Sequence, residues 1–245
     1  MFNDWGKQKQ EEMFELWETQ FPDYLSGFEL FTSPLRHNAS AVIIGYNAGG
    51  GNRDATELNS YMGQFVGENP DFNPPDKGHY EEGERGYRVA GSIRKHFFSG
   101  KRHLLPDAVE TNRYFLRTED KAHHQDVIDS ASEEAQAEYR QFCRETIREL
   151  IVRSNPSVVL DFSGEYTASE FCEDLEFSYE HTEIHQERDE KDFAAEVSVA
   201  RITEEPESIV LSIKPHPSHP WLASEHLEFF QETVPQYLPE TSGSH

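Results

Sequence analysis

Residues 130–162 narrow the choice of fold more than any other stretch. From Ser130 to Arg153 the apolar side chains return at helical intervals. Ala135, Tyr139, Phe142, Cys143, Thr146, Ile147, Leu150 and Ile151 share one stripe, while Glu133, Glu134, Glu138, Arg140, Arg144, Arg148 and Glu149 fall elsewhere. Asn155-Pro156 ends the helix, because a proline ring pushes the residue before it out of helical geometry. Val158-Val159-Leu160-Asp161-Phe162 follows at once as a short apolar strand, with Gly164 beyond it. A long amphipathic helix running straight into an apolar strand is a building unit of layered α/β sheets.

Two further apolar runs give that sheet a working edge. Ala41-Val42-Ile43-Ile44 passes into the glycine-rich turn Gly45-Tyr46-Asn47-Ala48-Gly49-Gly50-Gly51, and Ile209-Val210-Leu211-Ser212-Ile213 passes into Lys214-Pro215-His216-Pro217-Ser218-His219-Pro220. Ligands of open α/β sheets bind outside the carboxyl ends of the strands. If these two strands are parallel, Asn47 and His216 meet at one rim although most of the chain separates them. Val109 closes another strand, and Asn112 then lies just beyond it near the same rim. Val197–Ile202 also reads as a strand, and the acidic stretch 174–192 as a hairpin or a solvated loop. No repeat or linker divides the chain. The expectation is one α/β domain over 1–245, a three-layer α/β/α arrangement with a short, mostly parallel central sheet. Residues 1–40 form an N-terminal helical extension, in which Met13, Phe14, Trp17 and Phe21 recur at helical spacing until Pro22, and 67–86 form a loop insert rich in Gly, Pro, Asn and Asp. Tyr87–Phe98 and the segment containing Leu222, Leu227, Phe230 and Val234 complete the helices.

Charge limits the partners. Forty-six acidic residues oppose 22 basic ones, for a formal net charge of -24. They are spread along the chain, as in the solvated acidic surfaces of proteins from salt-rich, halophilic cytoplasm. An ordinary acidic protein and a mimic of a nucleic-acid backbone are the other readings. Concentrated salt screens such a field within a few ångströms, so a nucleic-acid substrate is compatible with this charge if a local basic or polar groove receives it. The richest basic stretch, Arg85 to His103, includes Arg94. It is either a phosphate-facing patch or ordinary surface charge. Two cysteines, Cys143 and Cys172, are too few for a disulfide framework, and the 12 histidines form no four-ligand set, so no metal is expected. No stretch has the length of a membrane span and the start lacks the pattern of a signal peptide, which points to the cytoplasm.

Gly45-Tyr46-Asn47-Ala48-Gly49 is similar to the glycine-x-asparagine-proline-glycine motif of the uracil-DNA glycosylase superfamily, in its mismatch-specific and single-strand-selective monofunctional branches. His216-Pro217-Ser218 resembles the second hallmark of that superfamily, Thr111-Asn112 resembles its threonine-asparagine pair, and Gly164 falls where a glycine follows the penultimate core strand. Ala48 and His219 depart from the pattern, each standing where proline is usual. The branch that positions water with an acid at the Asn47 position is unlike this chain, and two cysteines cannot supply the iron-sulfur branches. The resemblance implies a monomeric, cofactor-free hydrolase of the N-glycosidic bond of uracil or a related deaminated base in DNA.

In that chemistry positive charge grows on the sugar and negative charge on the departing base. Asn47 would hold the attacking water through its carbonyl, and a neutral His216 would donate to the base anion. Asn112 would read the edge of a pyrimidine. Phe65, with Tyr46 as its rival, would stack on the extruded base, and Gly45, Gly49 and Ser218 would contact base or phosphate. His219 or Trp221 would fill the gap left in the duplex. Each residue has a plainer reading. Asn47 and Asn112 suit tight turns, His216 a strand-end cap, and Phe65 and Trp221 core packing. The functional alternatives are a catalytically inactive glycosylase-like module that binds nucleic acid or protein, and an unrelated α/β enzyme, although no phosphate-loop lysine and no nucleophile elbow is present.

Overall fold

In a computed structural model, residues 2–24, 26–47, 49, 88–189, 193–216, 219 and 222–240 are described. Along the chain these give α1 (Phe2–Gln20), β1 (Val42–Asn47), α2 (Arg88–Ser92) continued by a wider π turn (Ile93–Phe97), β2 (Val109–Tyr114), α3 (Lys121–Asp129) and α4 (Glu133–Ser154). β3 (Val158–Asp161), α5 (Ala168–Asp174), β4 (Tyr179–Arg188), β5 (Ala194–Ile202), β6 (Ile209–Lys214) and α6 (Ser224–Thr233) follow.

Local chemistry sets the ends of the helix that most constrains the fold. The Ser132 side chain accepts a hydrogen bond from Ala135 N at the start of α4, and Glu133 and Glu134 lie in its first turn, where carboxylates face the positive end of the helix dipole. Asn155 closes it in the left-handed conformation with φ 45°, and β3 begins three residues later. α3 and α5, which the apolar spacing left unmarked, rest on caps of the same kind. Asp120 accepts from His123 N, and Thr167 and Glu170 form a reciprocal capping box.

Among the described residues the sheet has six strands in the order β2-β1-β3-β6-β5-β4. The pairs β1–β2, β1–β3 and β3–β6 are parallel, and β4 and β5 form an antiparallel hairpin attached to β6. Residues 174–192 form neither a self-contained hairpin nor a loop: Asp174 ends α5 and Tyr179–Arg188 make one strand, β4, whose antiparallel partner β5 lies beyond the stretch. Strand alternation sends side chains to both faces. Val42, Ile44, Val159 and Val210 pack under α1, α3, α4 and α5 with Met13, Val127, Ile147 and Phe171. Ile43, Leu160, Leu211 and Ile213 pack on the other face with Ile93, Phe97 and Phe230. The result is a single α/β domain with its sheet between helical layers. α1 begins eleven residues before Met13, the first residue of the apolar spacing, and brings Phe2 and Trp5 into the core. No helix among the described residues is long and apolar enough to cross a membrane. Among the described acidic residues only Glu29, Glu110 and Asp161 are buried, so the negative charge is a property of the surface.

Candidate functional site

The parallel register aligns Thr111, Ile44, Asp161 and Ser212 in one row across β2, β1, β3 and β6. Beyond that row the four strands end on the same edge of the sheet. Asn47 closes β1, and His216 follows two residues after β6. One strand lies between them, which sets β1 and β6 about 10 Å apart, two strand spacings.

Asn47 is the last residue of β1 and pairs with Tyr114 of β2, so it does not lie in a turn. Positive φ outside glycine is confined, among the described residues, to Asn38, Asn155 and Glu176. The tight-turn reading of Asn47 therefore gives way, because β1 stays paired with β2 at Gly45 and again at Asn47. The Asn47 carboxamide is held instead by Thr118. Its Nδ2 donates to the Thr118 carbonyl at 2.9 Å and to Oγ1 at 2.6 Å. A carbonyl only accepts, so the nitrogen must face Thr118 and the Asn47 oxygen is turned away from it. Thr118 is buried, and its loop is fixed by the Asp120 cap of α3.

Asn112 also differs from expectation, since it lies inside β2, opposite Gly45. β2 runs on to Tyr114 because β1 does. A Cβ on Gly45 would stand 2.6 Å from Asn112 Oδ1, so the glycine at this position makes room for the carboxamide. The Asn112 carboxamide lies against Gly45, and Asn47 stands two residues, about 7 Å, nearer the rim along β1.

His216 is backed by the turn after β3. Asp161, fully buried, accepts from Ser163 N and from Ser212 Oγ, each at 2.9 Å, and so ties that turn to β6. The next residue, Gly164, has φ +71°, and a Cβ there would lie 3.3 Å from His216 N. The His216 carbonyl accepts from His219 N at 2.8 Å. Burial, and secondarily the charge of His219, pull the imidazole down to a pKa of about 4, which leaves it neutral near pH 7. Gly164→Ala is expected to cost about 1–2 kcal/mol from the left-handed backbone alone, measured by urea unfolding, and to loosen His216 as well.

The remaining expected residues are dispersed. Tyr46 points to the α3 and α4 side, where it is buried. It meets Tyr114 and His124 edge to face at 5.2 and 5.6 Å, and Lys121 Nζ lies 5.2 Å from its ring centre. This packing removes it as a base-stacking surface. A Cβ on Gly49 would meet nothing within 4 Å among the described residues. Arg94 lies in the π turn, its carbonyl accepting from Arg102 Nε at 3.3 Å, and Lys101 of the same basic stretch pairs with Glu240 at 2.7 Å. His219 stacks on Phe193. Phe65, Ser218, Trp221 and the insert 67–86 lie outside the described residues.

Sequence reasoning missed the wall beside Asn47. Glu165 takes Lys121 Nζ at 2.6 Å and the Tyr114 hydroxyl at 3.1 Å, joining the turn after Gly164 to the start of α3. The capping aspartate before residues 121–129 was the available signal for that helix, and hence for Thr118. No protein-family model matches the chain, and no curated protein is similar to it beyond chance.

Proposed function

We propose that this chain is a monofunctional DNA glycosylase of uracil-DNA glycosylase-like fold, hydrolysing the bond between deoxyribose and a deaminated base. The observation that supports this reading best is the pairing at one sheet edge of a carboxamide oriented by Thr118 with a neutral imidazole backed by Gly164. Bond cleavage leaves electrons on the base and a cationic sugar; water then bonds to C1′ and releases a proton to solvent, and the departing base anion takes one up from solvent. Asn47, its nitrogen engaged, offers its oxygen to that water. His216 donates an N–H to the base anion, where a neutral donor avoids the cost of burying a second charge. Asn112, recessed beside Gly45, has one donor group and one acceptor for a pyrimidine edge.

The negative surface fits work at high salt in the cytoplasm, where screening lets such a protein approach DNA. A module that binds nucleic acid or protein without catalysis is the second reading, favoured by the fact that a carboxamide cannot take up the proton of water.

Excision from single-stranded and duplex oligonucleotides carrying uracil, hypoxanthine or xanthine, at low and molar potassium chloride, tests the proposal. Wild-type protein is expected to leave abasic sites, and Asn47→Ala and His216→Ala each to lower the single-turnover rate about 10²–10³-fold. Folded wild-type protein that releases none of these bases at either salt would overturn it.

A further inference from the structure

The hairpin of β4 and β5 ends at the same edge of the sheet as the candidate site. Because β5 is antiparallel to β6, Glu196 pairs with Lys214 and Val197 with Ile213. Lys214 is the last paired residue of β6, and Ala194 and Phe193 lie two and three residues beyond Glu196 toward that same edge.

Phe193 is fastened there. Its N–H donates to Asp189 Oδ1 at 2.9 Å, and its carbonyl accepts from Asp189 N at 3.0 Å. The carbonyl also accepts from His226 Nε2 at 3.2 Å, while Nδ1 of this buried histidine accepts from Ala223 N at 3.1 Å. The second bond places the proton on Nε2 and makes His226 a brace between the hairpin and the start of α6. The Phe193 ring stacks on His219, with centroids 5.2 Å apart and planes at 25°, and meets His226 edge to face at 5.5 Å. His219 is itself tied to the His216 carbonyl. Both rings of the stack remain partly exposed at the rim.

We infer that Phe193 and His219 form an aromatic contact for the DNA bases that flank an extruded nucleotide, which the hairpin supplies beside His216. The inference rests on the proposed DNA substrate and adds a binding element to it. A surface with a formal charge of -24 gains little from phosphates. At molar salt the Debye length is about 3 Å, so long-range attraction is weak whatever its sign. Contact between bases and aromatic rings survives those conditions, is indifferent to base identity, and contributes about 1–3 kcal/mol per base. A platform braced before binding also loses less entropy when DNA arrives.

Fluorescence anisotropy with labelled single-stranded DNA, and with duplex carrying a stable abasic analogue, at about 0.1 M and about 1 M potassium chloride, provides the test. Wild-type affinity is expected to hold or improve at the higher salt. Phe193→Ala should weaken it about 5- to 100-fold, Phe193→Leu should weaken it similarly, and Phe193→Tyr should restore it, all with unchanged unfolding midpoints. Wild-type binding that Phe193→Ala or Phe193→Leu leaves intact would overturn the aromatic contact while sparing the proposed function. A wild-type chain that binds neither DNA at either salt would overturn both.

Discussion

Arg117→Met is expected to destabilise the fold by about 3–5 kcal/mol, a large fraction of the total for a domain of this kind. Arg117 and Glu29 are 3% and 4% exposed, and their guanidinium and carboxylate lie 3.3 Å apart. With the arginine gone, Glu29 would remain in the interior as an uncompensated charge, or would have to take up a proton to stay there. The backbone around the pair is committed as well. Arg117 N donates to the Gly27 carbonyl, Glu29 N to the Phe115 carbonyl, and the Tyr24 hydroxyl donates to the Arg117 carbonyl. The pair thus joins the irregular segment after α1 to the chain leaving β2, one residue before the Thr118 that orients Asn47. The double variant Arg117→Met/Glu29→Gln is expected to recover most of the loss, because it removes the buried charge along with its partner. Urea unfolding of the single and double variants at pH 7 measures both numbers. A single variant within about 1 kcal/mol of wild type would mean that water reaches the pair.

That pair also shows where the sequence is silent. The helix over 133–154, the strands ending near Ile44, Phe162 and Ile213, and the convergence of their ends all follow from apolar period and from the punctuation of glycine, asparagine and proline. These are local signals, and they were sufficient for the layered sheet. Thr118 carries none of them. Its hold on Asn47 spans 71 residues and depends on how far β1 and β2 remain paired, which is a property of two strands together. The same cause moved Asn112 from an expected turn into β2. Glu165 reads as one acid among many until Lys121 and Tyr114 are seen around it. Phe193 follows a charged stretch with no apolar period of its own, and only the antiparallel pairing of β5 with β6 brings it to the edge where its ring meets His219. In each case the residue type was visible and the partner was not.

Lowering the pH from 7 to 5 is expected to leave the His216-dependent step of excision nearly unchanged, with loss only as the pH approaches 4. An exposed histidine would already be half protonated near pH 6.5, whereas burial holds His216 down to about 4. Stability should behave differently over the same range. His124, 3% exposed and packed among Tyr46, Tyr114 and Tyr139, is also held down to about 4, mainly by burial and then by the charges of Arg140, Lys121 and His123. In the unfolded chain both histidines bind protons near pH 6.5, so between that value and 4 the unfolded state carries more protons than the folded one. Stability is therefore complete above about pH 6.5 and declines as the pH falls through this window, by up to about 3 kcal/mol for His124 and by less for the partly exposed His216. His124→Phe keeps an aromatic ring among the tyrosines and removes the proton site. Its unfolding free energy, followed from pH 7 to 5 in molar potassium chloride to suppress general charge repulsion, should fall less steeply than wild type by up to one proton. Equal slopes would show that His124 takes up its proton in the folded state near the ordinary value, and an excision rate that halves near pH 6.5 would show the same for His216.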